Sequence, residues 1–492
     1  MYSGSGFSDW EIGDITVIIK DGVYHLFHLI IPNHDYIAHA ISNDCISWTR
    51  VNNALFVGHP GEWDDDMLWT MHVLEEDEEF HMYYTGLQRR DRGIISRIGF
   101  ARSKNLTDWV KDQKSIYPIE PKGIYYETHE KNPRKWLSFR DPFKFDHNGE
   151  EYLILAARTL YGPISRRGCV GIVNITNDTF QVMPPLLYPM MYDDIECPCV
   201  FELNGRFYLL GSIREDVKVR YWFAADFFGE YHSFHEDVIL PQGNYAARTV
   251  SDGPHLLIYN LFYAGGINVL RVLPPPKQLS TDDNGRLVLK TYYRWDTMVL
   301  KTILQPQFEP VKQLLHNPTA SLTSVDDKWT CESRSGYEIF CMQKPSGSFI
   351  WEGLLTAEGM GKLGLVCDAD EEGNGYYISF DLKAGHTKIR SWGFNPHDVK
   401  NNFIFQDIQS AVFAIGDKPS IHFRLIRFGN YIELSINGIV ELTLMDYTFS
   451  GNCIGLYTAS AVVALQHSVL HSLPDPQGEY ASQEEAQAKT IL

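Results

Sequence analysis

The chain has 492 residues, 44% hydrophobic and 21% charged, which is core material for more than one globular unit because single cores stop growing near roughly 250–300 residues. Its 43 basic and 62 acidic side chains leave a formal charge of −19, which repels phosphate backbones and anionic membranes and disfavours nucleic acid as a partner. No window of about 18 apolar residues occurs, and the start MYSGSGFSDWEIGD has no basic stretch followed by an apolar one, so the expectation is a cytoplasmic protein with neither membrane span nor secretory signal.

Along the first 300 residues one phrase recurs: a turn, then an aromatic, alternating strand. It reads DGVYHLFHL (21–29), DEEFHMYYTGL (77–87), NGEEYLILAA (148–157), NGRFYLLGS (204–212) and, more weakly, DGPHLLIYN (252–260), with Tyr24, Phe80, Tyr152, Phe207 and His255 in corresponding places. The first two copies continue into YIAHAISNDCISWTRV and RIGFARSKNLTDWVKD, which match at Trp48 and Trp109. Units of about 40–50 residues with several short strands, Asn/Asp/Gly turns and hardly any helical periodicity predict the blades of a five-bladed β-propeller rather than a large sandwich.

Composition then shifts. LPPPKQLSTDDNG and LQPQFEPVKQLLHNP read as a last blade running into a linker, and the alternating strands beyond them predict a β-sandwich. The expected all-β architecture is therefore a propeller over 1–300, a linker over 301–320, a sandwich over 321–474 and a polar tail over 475–492. Eight cysteines are too sparse for a disulfide framework, and Cys197 and Cys199, two apart in a strand, are expected to point one way into a core as free thiols.

Strands preceding the aromatic phrases should line the propeller channel. Three of them carry an acid near the start: WEIGDITVII (Asp14), SFRDPFKF (Asp141) and DIECPCVFEL (Glu196), which lead to Tyr24, Tyr152 and Phe207 by 10, 11 and 11 residues. A matched register predicts that the three carboxyls meet in one pocket, where an ionised carboxylate and a protonated carboxyl can cleave a glycosidic bond. A third carboxylate can bind hydroxyls and keep the acid's pKa up.

WLSFRDPFKF and DIECPCVFEL resemble the Arg-Asp-Pro and Glu-Cys signatures of glycoside hydrolase family 32, the β-fructofuranosidases, inulinases and levanases. The resemblance runs nearly the whole chain and implies a five-bladed propeller with a C-terminal β-sandwich. It implies Asp14 as nucleophile, Asp141 as transition-state stabiliser, Glu196 as acid/base and Arg140 as a forked ligand of the terminal sugar, in a cofactor-free, retaining, exo-acting cleavage of a β-fructofuranoside. The family's Trp-Met-Asn-Asp-Pro-Asn-Gly is replaced by WEIGDITVI, with Asp14 one residue further from Trp10, which leaves Asp9 and Glu11 as rivals.

GEWDDDMLWTMHV opens the second blade, with Trp69 and Asp66 expected at the channel mouth and Trp63 available to stack on a sugar; Trp10 and Asp194 complete the candidate substrate contacts. The DDD run lacks the Gly and distal Glu of an EF-hand, and the histidines show no metal spacing, so no metal is expected. An inverting arabinofuranosidase or xylosidase, an intramolecular fructotransferase and a non-catalytic carbohydrate-binding protein are the rival readings. In the sandwich, Trp351, Tyr376, Tyr377 and Trp392 are candidate sugar contacts, beside a purely stabilising or homo-oligomer-forming role.

Overall fold

The computed structural model describes residues 2–4, 11–112, 116–129, 134, 136–263, 271–308, 310–395, 402–415 and 419–476. The described residues form two compact units, one running to Leu287 and the other Val288–Pro476.

The first unit is a five-bladed β-propeller. Its inner strands are Glu11–Lys20, Met67–Glu76, Phe139–His147, Glu196–Leu203 and Asn244–Asp252, and each pairs with the aromatic strand that follows it. The local cause is the turn chemistry. Asp21-Gly22, Asp77-Glu78, Asn148-Gly149 and Asn204-Gly205 all have positive φ at both positions, the two-residue geometry whose twist matches the flanking strands. The second repeated turn is equally concrete. Asp44 Oδ1 accepts the N–H groups of Ile46 (2.8 Å) and Ser47 (2.7 Å), and Asn105 Oδ1 those of Thr107 (3.0 Å) and Asp108 (2.8 Å). Trp48 and Trp109 then donate their indole N–H to the carbonyls of Cys45 and Leu106.

The inner strands pack in the order of the blades and back to the first. Phe27, Leu29, Ile37, Leu68, Met71 and Val73 fill the core between blades 1 and 2. The ring is closed by Tyr24, whose hydroxyl donates to Asp252 Oδ2 at 2.6 Å, and by Tyr2, which bridges to Leu273 beside the last blade.

Blades 2 and 3 are also pinned by a buried cation. The Lys144 ammonium is fully enclosed, 2.9 Å from Glu76 Oε1, 3.1 Å from Glu151 Oε1 and bonded to Asp146. These three carboxylates would otherwise form a cation site. Replacing Lys144 by Met would leave the three partly exposed carboxylates facing one another without their shared cation. The expected loss is about 2–4 kcal/mol, discounted because the carboxylates are partly solvated, and a melting temperature lower by roughly 5–10 °C in calorimetry. An unchanged melting curve would remove the clamp.

The second unit is a 12-stranded β-sandwich. The 21-residue strand Phe349–Ala369 shifts register at three points, pairing through Phe349–Thr356 with Ser420–Arg427 and through Gly364–Cys367 with Tyr376–Ser379. Residues 301–320, expected as a linker, instead contain two short strands of this sheet: Lys301–Leu304 pairs with Val469–Ser472 and Lys312–Gln313 with Phe340–Cys341. Their prolines interrupt strands without releasing the chain from the sheet. Trp351 and Tyr376 are wholly buried, with Trp351 Nε1 donating to Ser468 Oγ at 2.8 Å, so these two expected sugar contacts are core residues. The tail beyond Pro476 lies outside the described residues. Among the described residues no helix is long and apolar enough to cross a membrane.

Candidate active site

Every inner strand carries a register shift near its start, and in blades 3, 4 and 5 a residue there takes positive φ: Asp141 (61°), Cys197 (49°) and Ala246 (52°). Such bulges re-aim side chains that regular pleating would alternate across the sheet. Six residues before the last one of each inner strand stand Asp14, Thr70, Asp141, Cys197 and Ala246; one step earlier stand Gly13, Trp69, Arg140, Glu196 and Tyr245. These two rings build the site.

In the first ring, carboxylate oxygens of Asp14 and Asp141 and the Cys197 sulfur lie within 4.8 Å of one another. Thr70 donates its hydroxyl to Asp14, and the Cys197 N–H, turned by its bulge, donates to Asp141 Oδ2 at 2.9 Å. Asp141 is buried and its N–H is held by Thr85 Oγ1 at 3.0 Å. Burial raises its pKa above the usual carboxylate range, with the Asp14 charge adding to the rise and Arg140 opposing it.

In the second ring, Glu196 Oε1 accepts Arg140 Nη2 at 2.8 Å and Oε2 accepts the Tyr245 hydroxyl at 2.5 Å. Its side chain keeps 15% of its surface open. Burial raises its pKa, Arg140 opposes, and Asp194 and Asp141 add to the rise. Arg140 also reaches Asp194 Oδ2 at 3.3 Å, and Arg134 joins Asp194 (3.1 Å) to Asp193 (2.9 Å). Burial pushes the Asp194 carboxyl up, but the Arg140 and Arg134 charges outweigh it and hold the group below its ordinary range. The arrangement separates two kinds of acid: Asp194 ionised between guanidinium groups, Glu196 biased towards keeping its proton.

The structure thus brings together Asp14, Asp141, Glu196, Arg140 and Asp194. It also corrects the register used to find them. Tyr152 is the third residue of its strand whereas Tyr24 and Phe207 are second in theirs, so Asp14 and Asp141 are equivalent and Glu196 stands one place earlier. Trp69 shares the ring of Glu196, stacked on His34 at 5.2 Å, and its buried indole N–H has no acceptor among the described residues.

Other candidates fall elsewhere. Trp63 stacks on Tyr84 at 5.6 Å, in a seat left open by Gly86 and Gly99, where a Cβ would come within 2.4 Å of its ring; it is a blade-2 packing residue, not a free stacking platform. Asp66 faces Arg89 at 3.9 Å, Asp64 is bound by Tyr84 and Lys111, and Asp65 caps the N–H groups of Gly61 and Arg89, so the three acids of the DDD run point apart. Glu11 turns to Arg271 at 3.8 Å, away from the cluster. Asp9 and Trp10 lie outside the described residues. The bulge also separates the two thiols: Cys197 joins the acids, and Cys199 sits 3.4 Å from Thr249 Oγ1.

Tyr245 and Thr70 were not singled out from the sequence, although counting back from each hairpin turn finds both. Tyr245 offers a direct test. Its hydroxyl favours ionised Glu196, so Tyr245→Phe should move the alkaline limb of the kcat/KM profile to higher pH and lower kcat by about tenfold. An unmoved limb would mean that this hydrogen bond does not tune the acid.

Residues 14–252 match the sequence family described as "Glycosyl hydrolases family 32 N-terminal domain". The fructan β-fructosidase of Streptococcus mutans is 23% identical over 251 residues, 49% of this chain but only 16% of that longer protein. Among solved structures, sucrose-6-phosphate hydrolase from Lactobacillus gasseri is similar with TM-score 0.66 and 16% identity, covering 94% of this chain and 91% of that one. Fructan 1-exohydrolase IIa from Cichorium intybus gives TM-score 0.68 at 14% identity, covering 94% and 95%. At such identities these structural likenesses establish the fold.

Proposed function

Because the propeller of this chain is a glycosyl hydrolase family 32 N-terminal domain, we propose that the protein is a retaining glycoside hydrolase that removes a terminal β-fructofuranosyl unit from sucrose-like or fructan substrates. The observation that carries this reading is the closeness of the Asp14 and Asp141 carboxylates, with Glu196 joined to Asp141 through Arg140 and also bonded by Tyr245.

Asp14 is the nucleophile: Thr70 steadies its carboxylate, and attack on the anomeric carbon forms a covalent fructosyl intermediate while the C–O bond to the leaving group breaks. Glu196, biased towards its protonated form by burial, gives its proton to the departing oxygen. Ionised in the second step, it removes a proton from water, whose oxygen attacks the same carbon and releases Asp14. Asp141 and Arg140, fixed by the Cys197 N–H and by Asp194, grip ring hydroxyls as charge develops on the sugar. Asp194 acts through Arg140, and Trp69 stands beside Glu196 in the second ring.

The family relatives named above act on fructans and on a phosphorylated sucrose, so the test is a panel of sucrose, inulin, levan and arabinan followed by NMR of the first-formed product. Release of β-fructose before mutarotation supports the reading. Release of an inverted sugar, a cyclic difructose as sole product, or arabinose instead would replace it with one of the rival chemistries.

A further inference from the structure

Two arginines meet at Asp194, and only Arg140 belongs to the rings that build the site. Arg134 precedes the inner strand Phe139–His147, in KNPRKWLSFRDP, and its side chain keeps 9% of its surface open. Its Nη1 donates to Asp194 Oδ2 at 3.1 Å and its Nη2 to Ser138 Oγ at 2.6 Å. Arg140 reaches the same two atoms, with Nη1 2.6 Å from Ser138 Oγ and Nη2 3.3 Å from Asp194 Oδ2. Ser138 gives its one hydroxyl hydrogen to that Asp194 oxygen at 3.0 Å, so the hydroxyl donates once and accepts twice, its full capacity.

Ser138 and Asp194 are both buried. Two guanidinium groups therefore share one hydroxyl and one carboxylate oxygen away from bulk water, where like charges repel more strongly than at a surface. The two are held differently. Arg134 has a further carboxylate in Asp193, Oδ2 at 2.9 Å, which Arg158 grips at 2.5 Å, and its cation lies 4.7 Å from the Trp136 ring. Arg140 has Glu196, at 2.8 Å. Arg134 is thus anchored away from the acid/base, and its charge pushes Arg140 towards it.

We propose that Arg134 is a positioning residue: by sharing Ser138 and Asp194 with Arg140, it keeps that second guanidinium from closing on Asp194 and turned to Glu196. This rests on the reading of Glu196 as acid/base. Without Arg134, Arg140 takes Asp194 for itself and its bond to Glu196 loosens. Glu196 then loses much of the charge that opposes the rise in its pKa, while burial, Asp194 and Asp141 still raise it and the Tyr245 hydroxyl still lowers it.

The test is the pH profile of kcat/KM for the full chain on the substrate found in the panel above. Arg134→Met should move the alkaline limb to higher pH by about 0.5–1 unit and lower kcat by about threefold to tenfold, since a more basic Glu196 is protonated when the second step needs it ionised. Arg134→Lys, which keeps the charge, should restore the limb to within about 0.2 unit of wild type. Asp194→Asn should move it the opposite way, to lower pH, by removing a negative charge beside Glu196 and releasing Arg140 to it. If Arg134→Met does not fold, Arg134→Gln, which drops the charge and keeps a donor, takes its place. A limb that stays put in the neutral variant, moves to lower pH, or moves equally in Arg134→Lys overturns the proposal, and a loss of rate at all pH values without a shift makes Arg134 a structural residue only. Glu196→Gln separates the two claims: a limb that survives in that variant removes the acid/base reading itself, whereas a limb that Glu196→Gln abolishes and Arg134→Met leaves in place removes the role of Arg134 alone.

Discussion

Replacing Asp14 by Asn is expected to lower kcat by about four to six orders of magnitude while the melting temperature moves by only a few degrees. Asn keeps the shape of the side chain and can still accept the Thr70 hydroxyl, so the ring of six-back residues survives. What vanishes is the nucleophile that must form the sugar–enzyme bond. The same change removes one of the two negative charges packed within 4.8 Å and relieves Asp141 of a neighbour that raises its pKa. Stability should therefore hold or rise slightly, the pattern of a site that sacrifices stability for chemistry. Activity within tenfold of wild type would transfer the nucleophile role away from Asp14, with Asp9 the next residue to replace.

Glu196→Gln is expected to lower kcat by about 10² to 10⁴ on sucrose and far less on an aryl β-fructofuranoside, whose leaving group needs no proton. The carboxamide keeps an acceptor for Arg140 Nη2, so the arginine relay to Asp194 should persist. The variant also has a stability signature whose sign follows from the raised pKa of Glu196. A carboxyl whose pKa is higher folded than unfolded contributes stability that is fully present below its unfolded value and is lost as pH rises through the folded value. Gln has no such loss. The difference in melting temperature, variant minus wild type, should therefore become more positive from the ordinary carboxylate range upward. Equal loss on both substrates, with a pH-independent difference, would mean that Glu196 is not the proton donor.

Much of the scaffold was legible because its determinants are local. Asp-Gly and Asn-Gly turns, alternating aromatic strands and the Ser-x-Asx turn ending in Trp are short-range signals, and they place the inner strands before any contact is known. The candidate acids were legible for the same reason, being close to repeated landmarks. The finer register was not: an extra residue before Tyr152 shifted the apparent match by one, and only strand pairing revealed it. Trp63 misled because an aromatic side chain beside acids reads alike whether it faces a sugar or fills the space over two glycines. Residues 301–320 misled because prolines signal breaks in pairing, not the absence of a sheet.

By itself, then, the sequence determined the repeat, the turns and the three acids, since each depends on residues within a few positions of one another. Only the tertiary structure decided which side chains those acids meet. Thr70, Tyr245 and the Cys197 N–H reach them from other blades. The physical reason is that bulges turn side chains off the regular alternation and packing between neighbouring blades joins residues 49 to 56 positions apart, and neither effect leaves a mark in local periodicity.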